Sequence, residues 1–222
     1  MAYMLGAPAG DPGWKDVGQS ANAAIEQAED ECKFPPLNPK NGRGNYPVLS
    51  TGFSYGGGPT RPSNRALNRL VQHQSFVRLS GHTNGSWMYR HLDKVLGDIL
   101  TDDPSLRKPF TNSVFPVATF NFRPVATTVP HCDSRNVPYG CSCCGTSKYL
   151  IEFPPGSTIL IPSSVLTHSN TRIQPGETRR SFTQHCSGSL VRWWMYGFRT
   201  EANMAREDPA MAEKVRAAAG RC

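Results

Sequence analysis

Apolar residues recur at helical spacing in the first half of the chain and at strand-like spacing in the second. Ser20 is placed to cap an alanine-rich stretch, 21–32, whose Glu26, Glu29, Asp30 and Glu31 leave Ile25 and Ala28 on a narrow apolar face. That pattern predicts a short surface helix. Residues 64–73 place Leu67, Leu70 and Val71 on one face, and 86–100 repeat Trp87, His91, Leu92, Val95, Leu96 and Ile99 at the same spacing, which predicts two more amphipathic helices. Their Trp, Met and His residues read as core, and His91 is not a site candidate. Beyond Pro109 the pattern changes to short β-favouring runs at 114–122, 148–153, 157–161, 180–184 and 190–196, each bounded by Gly, Pro, Asn or Ser. These predict a β core. Asp208-Pro209 then opens an Ala-rich tail with Gly220 at its end, the punctuation of a peripheral helix.

Between the first two helices lies a stretch, 33–63, broken by Pro35, Pro36, Pro39, Pro47, Pro59 and Pro62 and by Gly56-Gly57-Gly58. Neither a helix nor a long strand is expected there, only an extended loop packed at Phe53 and Tyr55. The glycine run is followed by no Lys-Ser/Thr pair and reads as a turn rather than a phosphate loop.

Composition narrows the class. With 222 residues, one main domain is expected, and 20 Gly with 19 Pro favour a turn-rich β architecture and exclude a coiled coil. No apolar run is long enough to cross a membrane, and residues 1–10 lack the basic start and apolar core of a signal peptide. Seven Cys, three of them crowded at Cys141, Cys143 and Cys144, do not resemble a secreted disulfide framework, so an intracellular, reducing setting is expected. The net charge of +7 permits attraction to a polyanion without requiring it.

The candidate chemistry lies in the second half. In His131-Cys132-Asp133, residues i and i+2 of an extended segment share a face, which pairs an imidazole with a carboxylate. His168, in Leu166-Thr167-His168-Ser169-Asn170, can return from another strand as a third ligand. Two His and one carboxylate on one face of a non-haem iron leave positions free for a co-substrate and dioxygen. Further on, Arg179 and Ser181 share a face while Arg180 does not. A guanidinium fork beside a hydroxyl suits a carboxylate such as the distal one of 2-oxoglutarate. His-x-Asp alone is weakly specific; its order with the later His and Arg-x-Ser gives the pattern weight.

With these residues in place the chain resembles the 2-oxoglutarate/Fe(II) dioxygenase-type proteins of mushroom-forming fungi, relatives of the TET/JBP nucleic-acid base oxygenases. The resemblance runs from about Trp14 to Phe198. It is carried by Arg43-Gly44-Asn45-Tyr46-Pro47, Ser54-Tyr55-Gly56-Gly57-Gly58, Asp103-Pro104-Ser105-Leu106, Asn112-Ser113-Val114-Phe115, Ala118-Thr119-Phe120-Asn121-Phe122, Phe153-Pro154-Pro155-Gly156-Ser157-Thr158 and Gly176-Glu177-Thr178-Arg179. It implies an α+β chain with a double-stranded β-helix core of the jelly-roll or cupin type, N-terminal helices packed on it and a C-terminal helix. The divisions expected are 1–63 for the N-terminal helix and extended segment, 64–200 for the helical support and oxygenase core, and 201–222 for the tail. The resemblance further implies Fe(II) held by His131, Asp133 and His168, 2-oxoglutarate held by Arg179 and Ser181, and O2 as co-substrate. Asn136 matches an Asn beside the target base in the TET-like core and also reads as a turn residue; Asn121 is a second substrate candidate. DNA as a partner, nuclear residence and a monomeric state complete the expectation. Trp193, Trp194 and Tyr196 could stack on an extruded base, with core packing the better account.

The chain departs from the family between Cys141 and Lys148, where a turn and one strand are missing. A lost strand leaves backbone unpaired at a sheet edge and loosens the site. The alternative function is therefore a catalytically degenerate module that binds nucleic acid without turnover. Cys141, Cys143 and Cys144 with Cys186 could hold zinc, but adjacent Cys143 and Cys144 suit a tetrahedron poorly, and free thiols are expected.

Overall fold

In the computed structural model, which describes residues 3–32, 34, 43–66, 69–82, 89–122, 126–136 and 150–219, the elements follow in the order β1 (Tyr3–Leu5), α1 (Trp14–Glu31), β2 (Val48–Ser54), β3 (Ser63–Arg65), α2 (Gln74–Gly81), α3 (Arg90–Asp102), β4 (Val117–Asn121), β5 (Thr158–Leu160), β6 (Ser181–His185), α4 (Gly188–Met195), α5 (Glu201–Glu207) and α6 (Pro209–Ala219). The chain is α+β, with two antiparallel sheets among the described residues: a pair, β1-β5, and a four-stranded sheet in the order β3-β2-β4-β6.

β4 is buried at all of its positions and is the centre of the larger sheet. Register fixes what each face carries. Leu49, Phe120 and Phe182 form one cross-strand row; Val48, Asn121 and Ser181 form the next, and Ser50, Thr119 and Thr183 another. Because side chains alternate, one face is mainly apolar, with Thr51 and Gln184 beside Ala118, and the other mainly polar, with Val48 and Val117 among its hydroxyls and amide. The apolar face packs Ala118, Phe120 and Phe182 against Ala21, Ala24, Ile25 and Ala28 of α1 and Phe76 of α2. Phe76 meets Phe120 edge to face, with ring centroids 4.9 Å apart. A second cluster joins Phe53 to Leu92, Val95, Leu96 and Ile99 of α3 and to Leu190 of α4. Arg180, whose side chain is only 6% exposed, ties the start of β6 to α1 by donating to Asn22 Oδ1 and Glu26 Oε1, each at 3.1 Å.

Several elements differ from their sequence patterns, each for an identifiable reason. The first helix begins at Trp14, not after Ser20, because buried Trp14 and Val17 extend the apolar stripe of Ala21, Ile25 and Ala28 by two turns. Gly18 within it allows loop 155–156 to approach; an added Cβ would lie 2.8 Å from Gly156 N. A seven-residue strand, β2, occupies part of the stretch read as loop, since Pro47 and Pro59 bracket it and none falls inside. Instead of opening a helix, Asn64 sits in β3, where its side chain donates to Ser105 O and accepts from Arg107 N, both at 2.8 Å. Arg69–Gln72 form only a 3-10 turn. The run 190–196 is helical: Ser187 caps it through Leu190 N, and Leu190 and Trp193 are buried one turn apart. β-propensity was overridden by a cap and a helical stripe. Trp193 and Tyr196 are core. Residues 150–153 form no strand, and Leu150 is 84% exposed. The shortened segment after Cys141, with Cys141, Cys143 and Cys144, lies outside the described residues.

The remaining expectations follow the pattern closely. β4 and β5 lie within the β runs at 114–122 and 157–161, β6 passes the run at 180–184 by one residue, and α3 covers most of 86–100. Pro209 opens α6 as expected, with Asp208 Oδ1 accepting from Met211 N at 2.9 Å. No helix among the described residues is long and apolar enough to cross a membrane.

Phe76→Ala should destabilise the chain by about 3–5 kcal/mol, because its ring joins α2 to both Phe120 and Phe182. A shift of the urea midpoint worth less than about 1 kcal/mol would show that the aromatic cluster is not the centre of the core.

Candidate metal centre

After β4 the chain turns back along residues 168–170. Asn170 N donates to Thr128 O at 3.1 Å, and His131 and His168 exchange both backbone hydrogen bonds, at 3.1 and 3.0 Å. A reciprocal antiparallel pair places its two side chains on one face. The rings lie with centroids 4.3 Å apart and planes inclined by 51°. On the opposite face Cys132 Sγ lies 3.3 Å from Thr167 Oγ1, so the alternation read from His-x-Asp holds at this bridge.

The two imidazoles are held in the same way. His131 Nδ1 donates to Val129 O at 2.8 Å, and His168 Nδ1 donates to Leu166 O at 2.9 Å. A carbonyl can only accept, so each Nδ1 carries the hydrogen and each Nε2 of the neutral ring presents a lone pair. Those nitrogens point at Asp133, whose oxygens lie 3.6 Å from His131 Nε2 and 3.9 Å from His168 Nε2. Asp133 is set by its backbone: its N–H donates to Ser163 O at 2.7 Å, and its carbonyl accepts from Asn136 N at 2.8 Å.

One ligand atom from each of His131, Asp133 and His168 lies within 4.8 Å of the others. These separations are too long for direct hydrogen bonds. Donors about 2.1 Å from a shared ion sit roughly 3 Å or more from one another, so small side-chain rotations bring all three onto one cation. The donor set, two imidazoles and one carboxylate, fits a first-row divalent ion of the non-haem iron type. The three side chains are 13–28% exposed, which leaves the cluster accessible from solvent.

The other predicted residues fall in three places. Asn121, buried in β4, donates through Nδ2 to Ser181 Oγ at 2.7 Å, on the polar face of the large sheet. Arg179 precedes β6 and donates to Thr171 O at 3.0 Å, while its own carbonyl accepts from Ala126 N. Asn136 closes the turn after Asp133, and its Nδ2 reaches Ser163 Oγ at 3.4 Å. Among the described residues no hydrogen bond joins Arg179 or Ser181 to the His131–Asp133–His168 cluster.

Two residues that sequence reasoning passed over belong to this region. Arg43 donates to Asp133 Oδ1. His185, half-buried at the end of β6, shares the polar face with Ser181 and Thr183, a period-2 signal visible in Ser-Phe-Thr-Gln-His. Desolvation pushes its imidazole down to about 4, helped by Arg43 and Arg65 and opposed by Asp133. His185 thus feels the charges of Asp133 and Arg43. Burial pushes the neighbouring Cys186 thiol up to about 12.

Comparison of the chain with protein-family models, with curated proteins and with solved structures yields no match. The geometry of the site is therefore what the functional reading rests on.

His185 gives the fold a pH dependence of definite sign. The unfolded chain takes up this proton near pH 6.5 and the folded chain only near pH 4, so stability falls as pH falls through that window, by about 3 kcal/mol. Urea midpoints of wild type and His185→Gln, compared at pH 7 and pH 4.5, should converge at the lower pH. Parallel shifts in the two proteins would count against a desolvated imidazole.

Proposed function

We propose that the chain is an Fe(II)- and 2-oxoglutarate-dependent dioxygenase that hydroxylates a substrate C–H bond. The observation that carries this reading is the convergence of His131, Asp133 and His168, one ligand atom of each within 4.8 Å of the others, a donor set that leaves half the coordination sphere of an octahedral ion for other ligands. On this reading the two antiparallel sheets are parts of a double-stranded β-helix.

His131 and His168 would hold the metal through Nε2, their tautomers fixed by Val129 O and Leu166 O. Asp133 would supply the anionic ligand. With 2-oxoglutarate, the bound ion supplies oxidation of a C–H bond to C–OH by O2, releasing succinate and CO2. Arg179 and Ser181 would take the distal carboxylate of that co-substrate. Because Asn121 Nδ2 already donates to Ser181 Oγ, the serine O–H is left to donate to an anion. Arg179 uses one of its five N–H donors on Thr171 O. Asn121 and Asn136 are the candidates to meet substrate.

The substrate class favoured by the resemblance is a methylated nucleic-acid base, which would have to leave the stack to reach the metal. DNA as a partner and nuclear residence belong to the same reading, with the excess of 24 Lys and Arg over 17 Asp and Glu to attract the phosphate backbone.

Purified protein supplied with Fe(II), 2-oxoglutarate and methylated DNA should release succinate, and His131→Ala should release none. Equal succinate from the two proteins overturns the assignment. DNA binding that is sensitive to salt, indifferent to Fe(II) and unaccompanied by succinate would identify a non-catalytic module instead.

A further inference from the structure

We infer that Arg43 is a positioning residue of the metal centre, holding the Asp133 carboxylate in the orientation in which it can share a cation with His131 and His168. The inference rests on the metal-centre reading and adds to it a role for Arg43-Gly44-Asn45-Tyr46-Pro47, a string that the chemistry had left without a function.

This segment is fastened at several points to the strip of chain that carries His131. Val129 N donates to Arg43 O at 2.9 Å, Tyr46 Oη lies 2.9 Å from Thr128 Oγ1, and Phe122 N donates to Pro47 O at 3.0 Å. The two backbones run so close at Gly44 (φ 150°) that an added Cβ would lie 2.5 Å from Thr127 O and 2.6 Å from the Tyr46 ring. Glycine is what lets the arm lie flat. Val129 then links two parts of the site: its N–H takes the Arg43 carbonyl, and its carbonyl takes His131 Nδ1. From Arg43 the chain of contacts passes through Val129 to His131, on to Asp133, and back to the Arg43 guanidinium. The arginine is thus located relative to the ligands by backbone hydrogen bonds as well as by its own side chain.

The Asp133 side chain needs such a partner. It faces two imidazole nitrogens at 3.6 and 3.9 Å, so three side chains that could hold a cation converge on one place. Without a cation beside it, the carboxylate lowers its energy by rotating toward water. Arg43 occupies one lone-pair site on Oδ1 and leaves about three of the four for a metal. Its charge also repels a divalent ion, but the guanidinium is 51% exposed, so water and the carboxylate charge weaken that repulsion. Orientation outweighs repulsion, as for other groups that hydrogen-bond a metal ligand.

The test is titration of the metal-free full chain with Co(II), read by its visible absorption, with thermal melting as a check on folding. Arg43→Ala should bind Co(II) about 10- to 100-fold more weakly than wild type and show a weaker, altered absorption band. Arg43→Lys should recover part of the loss, since an ammonium can meet the carboxylate without the fork. If the alanine variant melts early, Arg43→Gln, which keeps the stem and a neutral donor, carries the same comparison. Equal or tighter binding by variants that melt like wild type overturns the role and makes Arg43 a competitor of the cation. Failure of the metal-centre reading itself is a different result: wild type and His131→Ala would then take up Co(II) alike.

Discussion

A strand buried on both sides cannot be apolar on one face and polar on the other unless the polar side chains find partners, and β4 meets that constraint within its own sheet. Thr119 Oγ1 lies 2.8 Å from Ser50 Oγ on β2, and Asn121 Nδ2 donates to Ser181 Oγ on β6 at 2.7 Å. Left unpaired at this depth, each group would cost roughly 1–3 kcal/mol. The pairs specify register, because a slip of one residue would turn Asn121 into the Phe76–Phe120–Phe182 cluster and bring Phe120 to the polar side. The same register delivers Ser181 and His185 to one face of β6, so the hydrogen bonds that fix the core also fix which side chains that face presents.

What the sheet does for the polar face, the His131–His168 backbone pair does for the candidate ligands. Two residues on distant parts of the chain become neighbours because each accepts the other's N–H, and each ring is then turned by the carbonyl two residues before it. The arrangement is nearly symmetrical, and it leaves Asp133 as the element without a built-in orientation. Its backbone is anchored at both ends by Ser163 and Asn136, but its carboxylate is free to rotate about χ1 until Arg43 engages it. Asn136 therefore contributes to the site by shaping the turn that presents Asp133, whatever else it touches.

The sequence made the β runs legible wherever alternation and propensity agreed, as in β4 and β6, and the nearness of His131 to Asp133 was legible because His-x-Asp fixes a shared face by geometry alone. It misled where local preference met a stronger neighbour. The aromatic and β-branched residues at 190–196 favour strand, yet Ser187 caps them and the buried positions fall at helical spacing against α3. Asn64 looks like the start of a helix and is instead consumed by backbone groups of 105–107. Six prolines hid β2, although none lies within it. Arg43 stands in a string that carries the resemblance yet had no role there, because nothing local marks one: its contact depends on a partner far along the chain, and only the close packing at Gly44 betrays the constraint.

The alternation at the end of β6 also sorts the donors that the region offers. His185 turns to the polar face, while Cys186, the next residue, turns into the cluster of Phe53, Leu96 and Leu190 and stays protonated. Cys132 is likewise turned away from His131 and Asp133 by the i to i+1 reversal. Two thiols adjacent in sequence to the site are thus kept out of it by backbone geometry, one by burial and one by direction. Soft thiolate ligands would favour zinc or copper(I), whereas imidazole with carboxylate suits iron and other metals that retain open positions for oxygen ligands. These two thiols are kept from the cluster with no side chain devoted to that purpose, because the backbone on either side already turns them away.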